Sequence, residues 1–482
     1  MMDISTEIYL LVASLMVFVS ILISRTGYRF GVPTLLMFLL AGMIFGGDGL
    51  GIQFNNVKDA QNVGMAALSI ILFTGGMDTK LDNIRPVMAP GLTLATAGVL
   101  LTTLFTGLFV FLLTMWKGTP INEFTLTGAL LLAATMSSTD SASVFNILRS
   151  HSIRLKNNLR PLLELESGSN DPMAYLLTIM LIHALQVGGL SGWELVGSFL
   201  AQFTFGIGVG LLLGKCSVWV INHIHLTNST LYSVLTLSLI FIIYCAAYLI
   251  GGNGYLAVYL AGIVMGNAKM VKKKEVSTFL DGMTWLFQVV MFLMLGMLVN
   301  PHEMVPVLIP AILIGLFMML IARPLGVWLC LLPFGKQLKA NSKMFVSWVG
   351  LRGAAPIIFA TYPVIADIPG ARNIFNIVFF VTLLSLILQG TTLAKAARRL
   401  RLIDYTKTGH NYFGIQIPDS VSTSLHELEC TPQMLAQGNK VKDLRLEPGL
   451  LIMLIKRDER FLVPNGQLDL LPGDIMLLIK EE

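Results

Sequence analysis

The sequence predicts an all-α polytopic membrane domain of about thirteen transmembrane helices, followed by a small cytoplasmic α+β domain. Three observations predict it. Hydrophobic residues make up 55% of the 482-residue chain, and the mean hydropathy is +0.74. Charged residues are 13%, about half the usual globular share. The charge is also segregated: residues 403–482 hold 12 acidic and 8 basic side chains, whereas residues 1–402 hold 16 acidic and 25 basic ones. A soluble chain could not cover so much apolar surface with so few charges. That excludes a soluble enzyme, a nucleic-acid binder and a disordered protein. The chain therefore divides into a membrane domain, 1–402, and a tail, 403–482, long enough for a fold of its own.

Roughly 20 apolar residues cross the hydrocarbon core as a helix. Thirteen segments qualify: 6–24, 32–47, 62–77, 87–114, 124–148, 160–183, 194–221, 231–250, 254–267, 277–299, 304–333, 343–362 and 373–397. The first lacks a basic flank and a small-residue cleavage site, so it is expected to be a retained span. The second, third and ninth are short and need shielding by neighbours. With the N-terminus outside, inside loops carry nineteen Lys and Arg against three outside. The positive-inside rule then puts the tail in the cytoplasm. The four cysteines have no metal-ligand spacing and read as reduced packing residues.

Residues 40–47, LAGMIFGG, resemble residues 260–267, LAGIVMGN. One closes the second span and the other the ninth, so an offset of seven spans makes an inverted repeat, a common plan of secondary transporters. That offset requires the fifth and twelfth spans to correspond. The fifth contains MSSTDSAS at 136–143 and the twelfth VGLRGAAP at 349–356. Small and polar residues halfway along a span permit unwinding, which is tolerated only where backbone is buried in protein or lines a cavity.

A charge at mid-bilayer costs at least about 2.5–3.5 kcal/mol, so each needs a reason. Asp140 lies in the fifth span, Glu166 and Asp171 in the sixth, Arg323 in the eleventh and Arg352 in the twelfth. Glu166 and Asp171 are separated by about 140° around an ideal helix, so they face different surroundings. Arg352 is the expected partner of Glu166, as a structural ion pair. Arg323, before Pro324, is expected to be structural, with no partner identifiable from sequence. Asp171 is left without an arginine, among Asn170, Ser167 and Ser169. Burial disfavours a bare carboxylate, and a carboxylate that accepts either a proton or a metal ion is the minimum chemistry of an exchanger. Asp140 either compensates helix-end dipoles or adds a cation ligand together with Thr139.

These residues carry a family likeness. ESGSND at 166–171, STD at 138–140 and GLRG at 350–353 resemble the signature segments of the monovalent cation:proton antiporters. The Asn-Asp pair resembles the branch with NhaP-like and eukaryotic sodium/proton exchangers. The resemblance implies that Asp171 carries both cation and proton, with Thr139, Asp140, Ser167 and Asn170 around it. It implies a stabilising pair of Glu166 and Arg352, and a homodimer. Ser141 departs from the Thr-Asp-Pro common in the family. One carboxylate exchanging one proton for one monovalent cation moves no net charge, so electroneutral exchange is expected.

In the tail, 411–418 alternates as a strand and 432–443 reads as a helix. Residues 449–482 read as strand, charged turn, short strand, Asn465-Gly466 turn, Pro472-Gly473-Asp474 turn and final strand. The pattern resembles the C-terminal subdomain of potassium-conductance regulators, the TrkA-C or RCK_C type. The resemblance implies a regulatory ligand, in some relatives a nucleotide, although the tail has no Gly-rich phosphate loop. It also tips the expected cation towards potassium, as in potassium/proton antiporters of the cell-volume-regulation type, with sodium next. No cofactor is called for. The partners expected are cations, protons, the bilayer and a second copy, not nucleic acid. The rivals are weaker. A potassium channel needs a carbonyl filter such as TVGYG, which is absent. An intramembrane protease needs a catalytic pair that Ser169 and His183 are too far apart on one helix to form. An organic-ion transporter has no motif in its favour.

Overall fold

The computed structural model describes residues 6–29, 33–52, 54, 56–115, 121, 124–150, 153, 155–188, 192–335, 337–404, 425–430, 434–435, 438–444, 450–458 and 460–480. The chain forms two compact units, Met1–Ile403 and Asp404–Glu482.

The first unit is helical. Its elements are α1 (Thr6–Arg29), α2 (Thr34–Phe45), α3 (Val57–Asp78) and α4 (Leu81–Thr114). Next come α5a (Leu126–Thr135), α5b (Ser141–Ser150), α6 (Leu159–Gln186) and α7 (Gly192–His223). These are followed by α8 (Thr230–Leu249), α9 (Gly254–Asn267), α10 (Lys273–Met297) and α11 (Pro301–Cys330). The last are α12a (Ala340–Trp348), α12b (Ala354–Ile365) and α13 (Ala371–Arg399). Among the described residues, seven helices are long and apolar enough to cross a membrane: α3, α4, α7, α8, α10, α11 and α13. Five apolar helices are shorter, including α2, α5a, α9 and α12b. The window on α7 is the least buried of the seven, at 11%. Its apolar surface faces outward, as a lipid-facing helix requires.

The repeat suggested by eight residues extends through the packing. Helix α2 packs on α10, and α9 packs on α3, so the two halves exchange helices. A Cβ built on Gly42 would strike the carbonyl oxygen of Leu293, and one on Gly262 the carbonyl of Phe73. Likewise Gly296 abuts the Leu39 carbonyl and Gly76 that of Tyr259, while Gly46 and Gly266 face the carbonyls of Met297 and Met77. Each member of the first half has its counterpart 220 positions later, from Gly42 and Gly262 to Met77 and Met297. Only glycine permits this approach of backbone to backbone. The 3₁₀ turns Arg85–Val87 and Val305–Val307, inside α4 and α11, keep the same spacing. Both helices also contain a π-helical turn, Leu94–Gly98 and Met318–Ala322.

The corresponding fifth and twelfth segments are both interrupted. Helix α5a ends at Thr135 and α5b begins at Ser141; α12a ends at Trp348 and α12b begins at Ala354. These two breaks form the centre of the site described below.

Among the described residues, the tail unit contains a four-stranded antiparallel sheet in the order β1-β4-β2-β3, from β1 (Leu425–Glu429), β2 (Leu450–Arg457), β3 (Arg460–Leu462) and β4 (Ile475–Lys480). Cys430, Ile452, Ile455, Leu470, Met476 and Leu478 form its core. The strands β2, β3 and β4 fall where alternation and turn residues place them. The Pro472-Gly473-Asp474 turn closes with Asp474 N donating to Leu471 O at 3.0 Å, and Gly473 has the left-handed φ of 95° that favours glycine. Strand β1 is not anticipated by the sequence reading. The expected strand at 411–418 lies outside the described residues. Of the expected helix at 432–443, the described part contains a 3₁₀ turn, Val441–Asp443. Gly438 in its middle, with φ 148°, is incompatible with a helix there.

Candidate ion-binding site

Breaking a helix leaves backbone amides and carbonyls without intrahelical partners. The site consists of what satisfies them. The two breaks cross: Asp140 N donates to the Leu351 carbonyl at 2.8 Å. A Cβ on Gly353 would collide with the Asp140 carboxylate, so the crossing depends on glycine there. Arg352 is 1% exposed. Its Nη1 donates to the carbonyl oxygens of Ser137, at 2.7 Å, and of Ser138. Its backbone N donates to Ser385 Oγ at 3.0 Å. Ser385 in turn donates to Gln389 Oε1 at 2.5 Å, and Gln389 Nε2 donates to the Trp348 carbonyl at 2.9 Å. One face of α13 thus holds the α12 break.

This corrects the expected pairing of Glu166 with Arg352. Glu166 forms a buried ion pair with Arg323 instead, from Arg323 Nη2 to Glu166 Oε1. The Arg323 stem lies against Gly350, where any side chain would meet it. The physical reason lies in the backbone. An arginine buried beside an interrupted helix can be satisfied by carbonyls that the interruption exposes, so Arg352 needs no carboxylate. Glu166 then takes the other buried guanidinium. Arg323, without a partner in the sequence reading, is that partner.

Helix α6 supplies the side chains facing the α5 break. Asn170 Nδ2 donates to Thr139 Oγ1 at 2.5 Å, and Thr139 N donates to Asn170 Oδ1 at 3.3 Å. Ser167 Oγ donates to the Thr139 carbonyl at 2.5 Å. Thr139 is therefore held through its amide, its carbonyl and its hydroxyl. Asn170 acts here by positioning Thr139, with both ends of its amide engaged. Asp140 caps α5b: its carboxylate accepts from Ser143 N at 3.1 Å and from Ser143 Oγ at 2.5 Å. Of the two roles open to Asp140, compensation of a helix end is the one its hydrogen bonds describe.

Asp171 follows Asn170 and is 9% exposed. Its Oδ1 is buried and has no hydrogen-bond partner among the described residues. The polar groups that act on the carboxylate are Ser138, Asp140 and Arg352. Pro172 interrupts the hydrogen-bond ladder of α6 at this point, since it has no N–H to donate. Its carbonyl accepts from Asn253 Nδ2 at 2.7 Å, and Asn253 also caps α9 by accepting from Leu256 N. On the same helix, Tyr175 packs edge-on against Tyr255, with ring centroids 4.8 Å apart.

The structure thus brings Thr139, Asp140, Ser167, Asn170, Asp171 and Arg352 to one place, and Glu166 with Arg323 beside it. Asn253, Ser385 and Gln389 are participants that the sequence reading missed. The signal available for two of them was a pair of polar side chains four apart in the apolar α13. For Asn253 there was only a GGNG turn. Chemically, the arrangement offers a buried carboxylate with one oxygen in no well-formed hydrogen bond, hydroxyl and carbonyl oxygens, and a guanidinium anchored on carbonyls. Such a donor set suits a hard cation or a proton. No cluster of His, Cys, Asp and Glu among the described residues could hold a multivalent metal ion.

Comparison with known proteins agrees with this chemistry. The family described as "Sodium/hydrogen exchanger, transmembrane" matches residues 12–399, and the TrkA-C domain matches residues 436–480. The chain is 38% identical to the K(+)/H(+) antiporter NhaP2 of Shewanella baltica, over 99% of this chain and 82% of that one. It is 40% identical to the K(+)/H(+) antiporter NhaP of Alkalimonas amylolytica, over 82% of this chain and 67% of that one. The fold is similar to that of the sodium proton antiporter MjNhaP1 from Methanocaldococcus jannaschii, with a TM-score of 0.70 at 23% identity, covering 80% of this chain and 97% of that one. A buried carboxylate at two crossing broken helices, a match over most of the membrane unit and a second match over the tail agree. The chain belongs to the sodium/hydrogen exchanger family, as a multi-pass membrane antiporter of monovalent cations and protons with a TrkA-C domain.

Proposed function

We propose that the protein exchanges K⁺ for H⁺, one for one and without net charge movement, with Asp171 as the shared carrier. The observation that carries this reading is the Asp171 carboxylate, buried with its Oδ1 in no well-formed hydrogen bond among the described residues. Burial of an unpaired charge is costly, so the carboxylate is stable with a proton or with a cation and unstable bare. A single carrier of that kind must release one cargo before it takes the other. Neutral traffic follows, because the loaded group is uncharged in both forms. No covalent bond other than O–H is made or broken, so the protein is a transporter and no enzyme.

The choice of K⁺ is supported by the two relatives named K(+)/H(+) antiporters. The loop charges support an outside N-terminus and a cytoplasmic tail in an inner membrane. The tail is read as a regulatory domain and the working unit as a homodimer. The test is proton flux in proteoliposomes, read with a pH dye on addition of K⁺, Na⁺ or Li⁺. The expected result is K⁺-driven flux, unchanged by a clamped membrane potential and abolished by Asp171→Asn. Flux with Na⁺ alone would overturn the cation assignment. A current under voltage clamp would overturn electroneutrality, and exchange by Asp171→Asn would overturn the carrier.

A further inference from the structure

Six hydroxyl side chains stand on the α5 break and the turns that flank it, and five of them have described surroundings. Four are engaged. Thr135 Oγ1 donates to the Leu132 carbonyl at 2.8 Å and Ser137 Oγ to the Ala134 carbonyl at 2.7 Å. Thr139 Oγ1 accepts from Asn170, and Ser143 Oγ donates to Asp140. Ser138 differs. Its side chain is 1% exposed, and its Oγ makes no well-formed hydrogen bond among the described residues. Buried hydroxyls almost always have one. Ser138 does not fall back on the carbonyl of a preceding turn as Thr135 and Ser137 do, although serine commonly does so. Instead its hydroxyl lies in side-chain hydrogen-bonding reach of the Asp171 carboxylate, whose Oδ1 is the other buried oxygen there without a well-formed hydrogen bond. Two neighbouring buried oxygens, neither in a well-formed hydrogen bond, describe a place for something that binds oxygen.

We propose that the Ser138 hydroxyl is an additional cation ligand, and that it hydrogen-bonds the Asp171 carboxyl when the proton is bound instead. This deepens the reading of Asp171 as carrier and rests on it. A hydroxyl has one donor and two acceptor lone pairs. Towards a cation it presents a lone pair; towards the carboxyl of Asp171 it accepts the acidic proton or donates its own. It therefore satisfies both cargoes without moving from the backbone that holds it. That backbone is fixed, because the Ser138 carbonyl accepts from Arg352 and the next residue is held three ways by α6. Ser167, by contrast, has its hydroxyl proton directed at the Thr139 carbonyl. A fixed extra oxygen changes the number of ligands available to the ion, which is one basis of discrimination between K⁺ and Na⁺.

The experiment uses the full chain in proteoliposomes, with K⁺ and Na⁺ titrated at fixed pH. Ser138→Ala is expected to raise the apparent KM for K⁺ by about tenfold, the size of one lost charge-assisted contact, with the maximal rate little changed. The ratio of K⁺ to Na⁺ affinity shifts with it. Ser138→Thr keeps the oxygen and is expected to remain near wild type. Ser138→Cys keeps the volume but replaces a hard oxygen with a soft sulfur. It is expected to follow Ser138→Ala, and it decides the matter if the alanine variant does not reach the membrane. An unchanged KM in Ser138→Ala or Ser138→Cys overturns the proposal. So does an equal loss of rate for both cations at unchanged KM, which is the mark of a structural role. Asp171→Asn measured alongside separates the two levels. If it still exchanges, the carrier reading fails and this inference with it. If it is silent while the Ser138 variants keep the wild-type KM, only the Ser138 assignment fails.

Discussion

Where α2 meets α10, and where α9 meets α3, the helices are unbroken and touch through glycine, backbone against backbone. Where α5 meets α12, both helices are interrupted and are joined by a guanidinium, a carboxylate and carbonyls. Both contacts join the first half of the repeat to the second. The glycine seams leave no polar group to satisfy and no space to fill, which makes a rigid and indifferent framework. The broken crossing leaves many groups to satisfy, and nearly all find a partner in the protein. Among the described residues, the exceptions at the crossing are the Asp171 and Ser138 oxygens and the Nε of Arg352. The difference shows how one fold separates scaffold from site: side-chain-free packing fixes position, and interrupted backbone supplies chemistry.

The largest expected effect bears on the charges beside the crossing. Removing one partner of a buried ion pair typically costs about 3–5 kcal/mol. Arg323→Ala should therefore lower thermal stability in detergent sharply. A double-mutant cycle with Glu166→Gln should give a coupling of about 1–3 kcal/mol for Arg323 and clearly less for Arg352. The reverse order would mean that the sequence-based pairing was right and the pairing described here wrong.

A smaller effect is expected at the seams. Gly262→Ala forces a methyl group onto the Phe73 carbonyl, and Gly42→Ala one onto that of Leu293. Overpacking of this kind costs about 1–3 kcal/mol. The two variants should cost alike, because they occupy equivalent places in the repeat. Gly75, on α3, has nothing within reach of an added Cβ. Gly75→Ala should be neutral or stabilising by up to about 1 kcal/mol through helix propensity. Equal melting temperatures for Gly262→Ala and Gly75→Ala would show that the seam is not tight.

The tail contains an arginine–carboxylate pair of its own, Arg457 with Asp474. Burial pushes the Asp474 carboxyl up, but the Arg457 guanidinium and the Leu471 N–H outweigh it and hold it below the ordinary carboxylate range. A carboxyl depressed on folding contributes stability above its unfolded pKa of about 3.9 and loses it as pH falls through the folded value. Amide protection in the tail of the full chain should thus be flat at neutral pH and decline only in that acid window. Asp474→Asn should remove the acid-dependent part and cost about 1–3 kcal/mol at neutral pH. Protection that falls between pH 7 and 5 would contradict this. The smallest effect is at Ser385. Ser385→Ala takes away the acceptor of the Arg352 amide and should cost about 0.5–1.5 kcal/mol. It should leave the seams unaffected in hydrogen exchange.

Much of this was legible beforehand. The apolar runs mark the helices because a helix in lipid must satisfy its own backbone. MSSTDSAS and VGLRGAAP mark the two breaks, since small polar residues and an intramembrane charge have no other place in a span. The strands β2, β3 and β4 follow from alternation between turn residues. By contrast, β1 was not legible, because Leu425–Glu429 reads as polar and becomes a strand by pairing with β4. Nor was the 220-residue correspondence, which eight similar residues could only suggest. The other glycines on the seams match through what they touch.

The sequence by itself determined a membrane unit and a separate C-terminal unit, a chain with two interrupted helices, and the carboxylate at Asp171 without an arginine of its own. It did so because burial of charge and backbone in lipid is so costly that residue type alone constrains the answer. Only the tertiary structure decided which arginine meets Glu166. Two arginines of equal charge lie within reach of the site. The choice between them depends on where interrupted backbone leaves its carbonyls, and that is fixed by how the helices cross.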